Sequence, residues 1–510
     1  MNSNTYKNLF IKIFCITLLV KIFLAYFTPM TGDEAFFYQW GVFPAAGYSD
    51  HPPMVGWLIF LLRMLGEHPL ILRAFTVLLT SIIGLGIVLL CQKTLDQKYQ
   101  AHAWLIGALY LCLPWSWLFF MVTTDTTLVL FMFCSGLVYM LADRQASASK
   151  ALVLYALCGI LLGLAFLSKY FSALLGFAFA IHCLLFRRKR LWAPFVILAF
   201  ALPAICFNLW FNATHGWSNI MFNVFNRNQD KQWSIGTLIG YIAMVVYIIT
   251  PWTIFYAFKS KNTFATDKKL VYSALALWSV PFALFLVLSI KRSIGLHWVI
   301  GFVPFFMIWA AYRLHTEHLQ KSIKWTIYLS IPHFLIFLTI LFAPMSFWGK
   351  FNLQHKAVFL HKADQITQNL ESSLPADGVI MAYAYSPAAT LAFYHKAYVP
   401  VFGEGKFHSR QDDQIIDFKD FAGKTIRIYT GRQQNHDFYK AYFDEIQPQT
   451  MQVDGVDFYF VDGTNFNFEK YRDTVLKSVA QKYHNAPSWL PNLGDPYCER
   501  YGFDFCSPQK

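Results

Sequence analysis

The chain has 510 residues, of which 56% are hydrophobic, 18% aromatic and only 14% charged, and its mean hydropathy is +0.39. A soluble globular chain carries about 25% charged residues, so an ordinary soluble enzyme is excluded and a polytopic α-helical membrane protein is expected. The formal charge of +13 divides into +16 over residues 1–350 and −3 over residues 351–510. Nucleic-acid binding is not needed to explain it, because the basic residues sit in short loops between apolar runs, as the positive-inside rule requires.

In chain order, the pattern predicts about eleven spans, with thirteen as an upper count: 8–28, 69–91, 102–120, 126–142, 151–167, 170–186, 192–211, 236–258, 270–290, 297–313 and 325–345. Residues 8–28 read as a retained span rather than a cleaved signal, since Lys21 interrupts the apolar run and no small-x-small site follows. Alternate loops hold Lys7/Lys12, Lys93/Lys98, Arg144/Lys150, Arg187–Arg190, Lys259–Lys269 and Arg313–Lys324, 17 basic residues in all. This set is expected to be cytoplasmic, with the N-terminus inside and residues 346–510 outside in the periplasm. Cys498 and Cys506, alone in the polar tail, suit a disulfide in such an oxidising compartment. The other seven cysteines lie in or beside apolar runs and read as small buried hydrophobes.

The expected domains are therefore a membrane domain over 1–345, with a first external loop at 29–68, and a small mixed α/β domain over 346–510. In the latter, "GVIMAYAY", "AYVPVF", "TIRIYTG" and "VDFYFVDGT" read as strands, and "SPAATLAFYH" and "FEKYRDTVLKSVAQKY" as helices.

The external face collects the charges that need a reason. Asp33 and Glu34 follow the first span in "TPMTGDEAFFYQW"; they either mark a helix start or line a site. "YSDHPPMVGW" sets Asp50 and His51 before two prolines, which stop a helix and stiffen the turn. Asp125 in "TTDTTLVLF" is a helix cap, a site residue, or both. Lys169 in "LSKYFSALL" either snorkels or faces the same site. Arg227 and Lys231 lie in an Asn- and aromatic-rich loop, and Lys291, Arg292 and His297 come together in "KRSIGLHWVIGFVPFF". Basic residues outside run against the charge rule, and an anionic lipid phosphate would account for them. Charged groups at membrane depth are costly and mark function. There is no GxGxxG, P-loop, CxxC or HExxH pattern, so nothing supports a nucleotide cofactor. No cofactor is required; a divalent ion on Asp33, Asp50 and His51 is left open.

These motifs, in this order, resemble those of the family 39-like, C-type integral membrane glycosyltransferases, which include the protein O-mannosyltransferases and the lipid A aminoarabinose transferases. The resemblance covers residues 10–310, and Lys21 in the first span fits it. It implies a sugar donor on a polyprenyl (undecaprenyl) phosphate, used on the periplasmic face of a bacterial inner membrane. It implies Asp33 as the catalytic acid position, with Glu34 and Asp125 as further catalytic candidates. Asp50, His51, Lys169, Arg227, Lys291, Arg292 and His297 are then substrate-binding candidates. His51 departs from the lysine that the aminoarabinose transferases carry before Pro-Pro, which leaves the donor phosphate's partner among Lys169, Arg227, Lys291 and Arg292. The expected activity is inverting transfer of a sugar to lipid A or another lipopolysaccharide component. A protein acceptor is the alternative within the class, and a transporter or flippase the alternative outside it. A transporter would show repeated halves, and the sequence has none.

Overall fold

The computed structural model describes residues 3–226, 233–260, 263–405 and 410–506. The chain folds into two compact units, each discontinuous in sequence. The first comprises Met1–Thr28, Leu65–Phe207 and Asp230–Leu338, and the second Pro29–Met64, Asn208–Gln229 and Thr339–Lys510.

The first unit is helical and reads as multi-pass. Among the described residues, seven helices are long and apolar enough to cross a membrane, or eight if the bent pair Ile235–Ile249 and Pro251–Lys259 is one span. That pair breaks by 84° where Thr250 adopts a φ of 75° ahead of Pro251. Three of the eleven expected spans instead fall on shorter apolar helices, His102–Cys112, Tyr170–Phe186 and Leu296–Ala311. The causes are local. Leu113 is extended before Pro114, and the other two contain 3-10 turns at Tyr170–Ser172 and Ile300–Phe302. Apolar run length alone overestimates continuous helix at such points.

Several buried charged groups inside this apolar unit are paired, as burial away from water favours. On helix α1 (Ser3–Phe27), Lys21 is fully buried and its Nζ donates to Thr80 Oγ1 and Ser81 Oγ, both at 2.8 Å. Arg73 is also fully buried and donates to the Ala25 and Thr28 carbonyls, at 2.8 and 2.6 Å. It thereby satisfies acceptors that the end of α1 leaves open. Arg187 Nε meets Asp143 Oδ1 at 2.6 Å. Close helix packing relies on missing side chains: a Cβ on Gly159 would lie 2.3 Å from the Ile197 carbonyl oxygen.

The second unit is built on a four-stranded sheet of order β1-β2-β4-β3. Its strands are β1 (Val379–Ala382), β2 (Ile426–Tyr429), β3 (Glu445–Val453) and β4 (Val456–Thr464). The β1–β2 pair is parallel and the other two are antiparallel. The β3–β4 hairpin turns at Asp454 and Gly455, both at positive φ, as a two-residue hairpin turn requires. Side chains alternate between two apolar clusters: Ile426, Ile428 and Val461 join one, Tyr429, Phe458 and Phe460 the other. The segment "AYVPVF" contributes only an isolated bridge, Ala382 to Val401. Cys498 and Cys506 form a disulfide.

The expected consequence for Arg73 is measurable. Arg73→Met would leave two buried carbonyls without their donor, a loss of about 1–3 kcal/mol. The melting temperature of the detergent-solubilised protein should fall by several degrees, whereas Lys12→Met, at an exposed position, should leave it unchanged.

Candidate active site

In the second unit, helix α2 (Gly32–Val42) opens with a capping box. Thr31 Oγ1 accepts the Glu34 N–H at 3.4 Å, and Glu34 Oε2 accepts the Thr31 hydroxyl at 3.0 Å and its N–H at 3.4 Å. Glu34 is 4% exposed. The adjacent acids are thus separated by function: Glu34 is turned inward to hold the helix start, and Asp33 is exposed. The Tyr385 hydroxyl donates to Asp33 Oδ1 at 3.2 Å. Tyr385 opens the helix Tyr385–His395, and Gly32 lets the two helices meet, since a Cβ there would lie 1.9 Å from Ser386 Oγ. Burial, and then the Asp33 carboxylate beside it, push the Tyr385 hydroxyl well above the usual tyrosine range. It therefore stays protonated and able to donate at any physiological pH.

The Asp50–His51 turn is held rigidly in the same unit. Tyr48 stacks on Trp40 with ring centroids 4.3 Å apart and donates its hydroxyl to the Trp40 carbonyl at 2.8 Å. Its own N–H bonds the His51 carbonyl at 3.0 Å. Asn219 donates to the Tyr48 carbonyl at 3.0 Å and Asn223 to the Asp50 carbonyl at 2.8 Å. Pro53 then precedes helix α3 (Met54–Arg63) as its cap. Within this frame His51 Nδ1 lies 3.1 Å from Asp50 Oδ1. Asp33, Asp50 and His51 do not gather into a three-ligand metal group among the described residues; the group that does form is His484, Asp495 and Cys498.

In the first unit, Thr123 caps the helix Thr124–Arg144, which leaves the Asp125 carboxylate for another partner. Lys169 Nζ binds both of its oxygens, at 3.0 and 3.1 Å, with the residues 8% and 3% exposed. An aromatic pair extends from this ion pair. The Lys169 ammonium lies 5.8 Å from the Phe171 ring centre, Phe171 packs on Trp298 at 4.4 Å, and the Arg292 guanidinium lies 5.1 Å over Trp298. Cations over aromatic faces are held without being neutralised. Lys291, exposed, lies 5.7 Å over the Trp233 ring. His297 is exposed at the start of the helix Leu296–Val299. Arg227 and Lys231 lie outside the described residues.

The Thr31-x-x-Glu34 spacing is a readable capping signal and could have distinguished the two acids. Tyr385 had no such signal, since it reaches Asp33 from 352 positions away.

Residues 50–211 match the family profile described as dolichyl-phosphate-mannose-protein mannosyltransferase, a segment that contains Asp50, His51, Asp125 and Lys169. A lipid A galacturonosyltransferase, RgtD, of Rhizobium johnstonii is 32% identical over 190 residues, covering 36% of this chain and 38% of that protein. Part of the chain is thus similar to C-type integral membrane glycosyltransferases. The chain also shares the fold of ArnT from Cupriavidus metallidurans. The apo structure matches with a TM-score of 0.60, and the structure bound to undecaprenyl phosphate with 0.61. Each match has 15% identity and covers 88% of this chain and 97% of ArnT. The match to the curated relative spans only about two fifths of that protein's length.

The Asp125–Lys169 pair makes a specific stability prediction. Asp125→Asn alone strands a buried ammonium and should cost about 3–5 kcal/mol. The double variant Asp125→Asn/Lys169→Met should recover most of that loss in thermal unfolding in detergent.

Proposed function

We propose that this protein is a glycosyltransferase of the bacterial inner membrane. It moves one sugar from an undecaprenyl-phosphate carrier to lipid A, or another lipopolysaccharide component, on the periplasmic face. The N-terminus is assigned to the cytoplasm and residues 346–510 to the periplasm by the distribution of basic residues. The observation that carries the reading is Asp33: an exposed carboxylate at a capped helix start, hydrogen-bonded by a tyrosine that stays protonated.

The chemistry assigned to it is simple. The bond between the sugar's anomeric carbon and the carrier phosphate breaks, and a bond from the acceptor oxygen forms on the opposite face. A phosphate leaves as a stable anion and needs cations more than a general acid. Lys169, Arg292 and Lys291 are the assigned cations; Lys169 is shared with Asp125, and Arg292 and Lys291 rest on Trp298 and Trp233. Asp33 takes the proton if the acceptor is a hydroxyl, and orients the acceptor if it is a phosphate. Tyr385 positions that carboxylate. Asp50 and His51 contribute a rigid polar surface to the substrate site, and Glu34 acts through the helix start. The lipid A acceptor is supported by the similarity to the Rhizobium lipid A galacturonosyltransferase. The family profile's protein acceptors support the second reading, a protein O-glycosyltransferase.

Mass spectrometry of extracted lipid A tests this directly. Cells carrying the wild-type gene, a deletion and Asp33→Asn are compared at matched protein levels. One sugar mass should disappear in the deletion and fall at least 100-fold in Asp33→Asn, in line with the roughly 10²–10⁴-fold contribution of a positioned base. Tyr385→Phe should give an intermediate loss. An unchanged lipid A profile overturns this acceptor and directs the search to glycoproteins.

A further inference from the structure

The second unit contains a buried constellation that the proposed transfer reaction does not use. His484, Asp495 and Cys498 present ligand atoms within 4.8 Å of one another. Cys506 is bonded to Cys498, so a second sulfur lies one S–S bond from this group. All four residues are at most 5% exposed. His484 Nδ1 lies 3.0 and 3.1 Å from the two Asp495 oxygens, and its ring stacks on Tyr497 at 4.4 Å. Asp495 Oδ1 also accepts the Tyr497 and Cys498 N–H groups, at 3.1 and 3.3 Å. Gly216 closes the group from the far side: a Cβ there would lie 2.0 Å from Asp495 Oδ2 and 3.1 Å from His484 Nδ1. The imidazole and the carboxylate are therefore fixed before any ligand arrives.

We propose that these four residues form a redox-gated zinc site, in which the disulfide and the metal are alternative cross-links of the same group. Two thiolates, one imidazole and one carboxylate are a tetrahedral zinc donor set. In the oxidised protein both sulfurs are consumed by their mutual bond, and His484–Asp495 cannot complete a site alone. Reduction by an external dithiol breaks the S–S bond. Two electrons and two protons pass to Cys498 and Cys506, and the dithiol becomes a disulfide. Zn²⁺ then displaces both thiol protons. At zinc–sulfur bonds of about 2.3 Å, the two sulfurs need separate to only roughly 3.8 Å in a tetrahedral arrangement. Reduction frees the Cys506 side chain to rotate toward the three residues already grouped. The remaining seven cysteines lie elsewhere in the chain and take no part.

The test uses the full-length protein in detergent, oxidised or reduced with a phosphine, then equilibrated with zinc chloride and desalted. Metal per chain is counted by elemental analysis. The oxidised protein should retain no zinc and the reduced protein one ion per chain. His484→Ala should abolish retention after reduction while still forming its disulfide, which shows by peptide mapping that the variant folds. A second measurement needs no variant. Alkylation of Cys498 and Cys506 in reduced wild-type protein, mapped by mass spectrometry, should slow at least tenfold when zinc is added, with Cys15 and Cys206 unaffected. Failure of the reduced wild-type protein to retain zinc, or unaltered alkylation at both tail cysteines, would overturn the proposal. So would full retention by His484→Ala.

Discussion

A charge held in apolar surroundings must bring its partner with it. The helical unit is organised around that requirement. Lys21 is satisfied by two hydroxyls, Arg73 by two carbonyls at a helix end, Asp143 by Arg187, and Asp125 by Lys169. Each pair joins segments distant in sequence, so the polar contacts specify which helices meet and in what register, while apolar packing supplies the bulk of the cohesion. The Asp125–Lys169 pair differs from the others because aromatic rings connect it to a second cation, Arg292.

The same economy governs the acids of the second unit. Neighbouring carboxylates repel when both are ionised and unpaired. The capping box resolves this by giving Glu34 the helix-start donors and leaving Asp33 on the open side. The Tyr385 hydroxyl then fixes the direction of Asp33. One residue holds the helix start so that its neighbour stays exposed. The Tyr48–Trp40 stack does the same for Asp50 and His51: an apolar brace holds a polar pair that has little freedom to reorient.

Much of this was legible in the sequence, and the rest was hidden for identifiable reasons. The long spans were visible because hydrocarbon thickness sets the length of an apolar run. The breaks at Leu113–Pro114 and Thr250–Pro251 were visible only as prolines, and proline alone does not say whether a helix bends or stops. Asp33, Asp125 and Lys169 stood out because charge is scarce in the first 350 residues. Their partners did not: Lys169 reaches Asp125 across 44 positions, and Tyr385 looks like any aromatic of the tail. Strand β3, "EIQPQTMQV", escaped detection because it is an edge strand with mostly exposed side chains, so no apolar alternation announces it. Its Pro448 is tolerated for the same reason. A single cut near residue 345 could not anticipate units that each draw on three separate stretches of chain.

That discontinuity has a consequence for how the protein is made. Asp33 emerges from the ribosome early, and its tyrosine partner follows 352 residues later. At translation rates of about 5–20 residues per second, the loop carrying Asp33 waits roughly 20–70 seconds for the strand of chain that completes it. Throughout that interval the apolar helices already made can insert and pair, but the carboxylate lacks its tyrosine partner. The setting of Asp33 is therefore completed only after Tyr385 has been made, and a chain stopped before that point would lack the helix whose first residue holds the carboxylate.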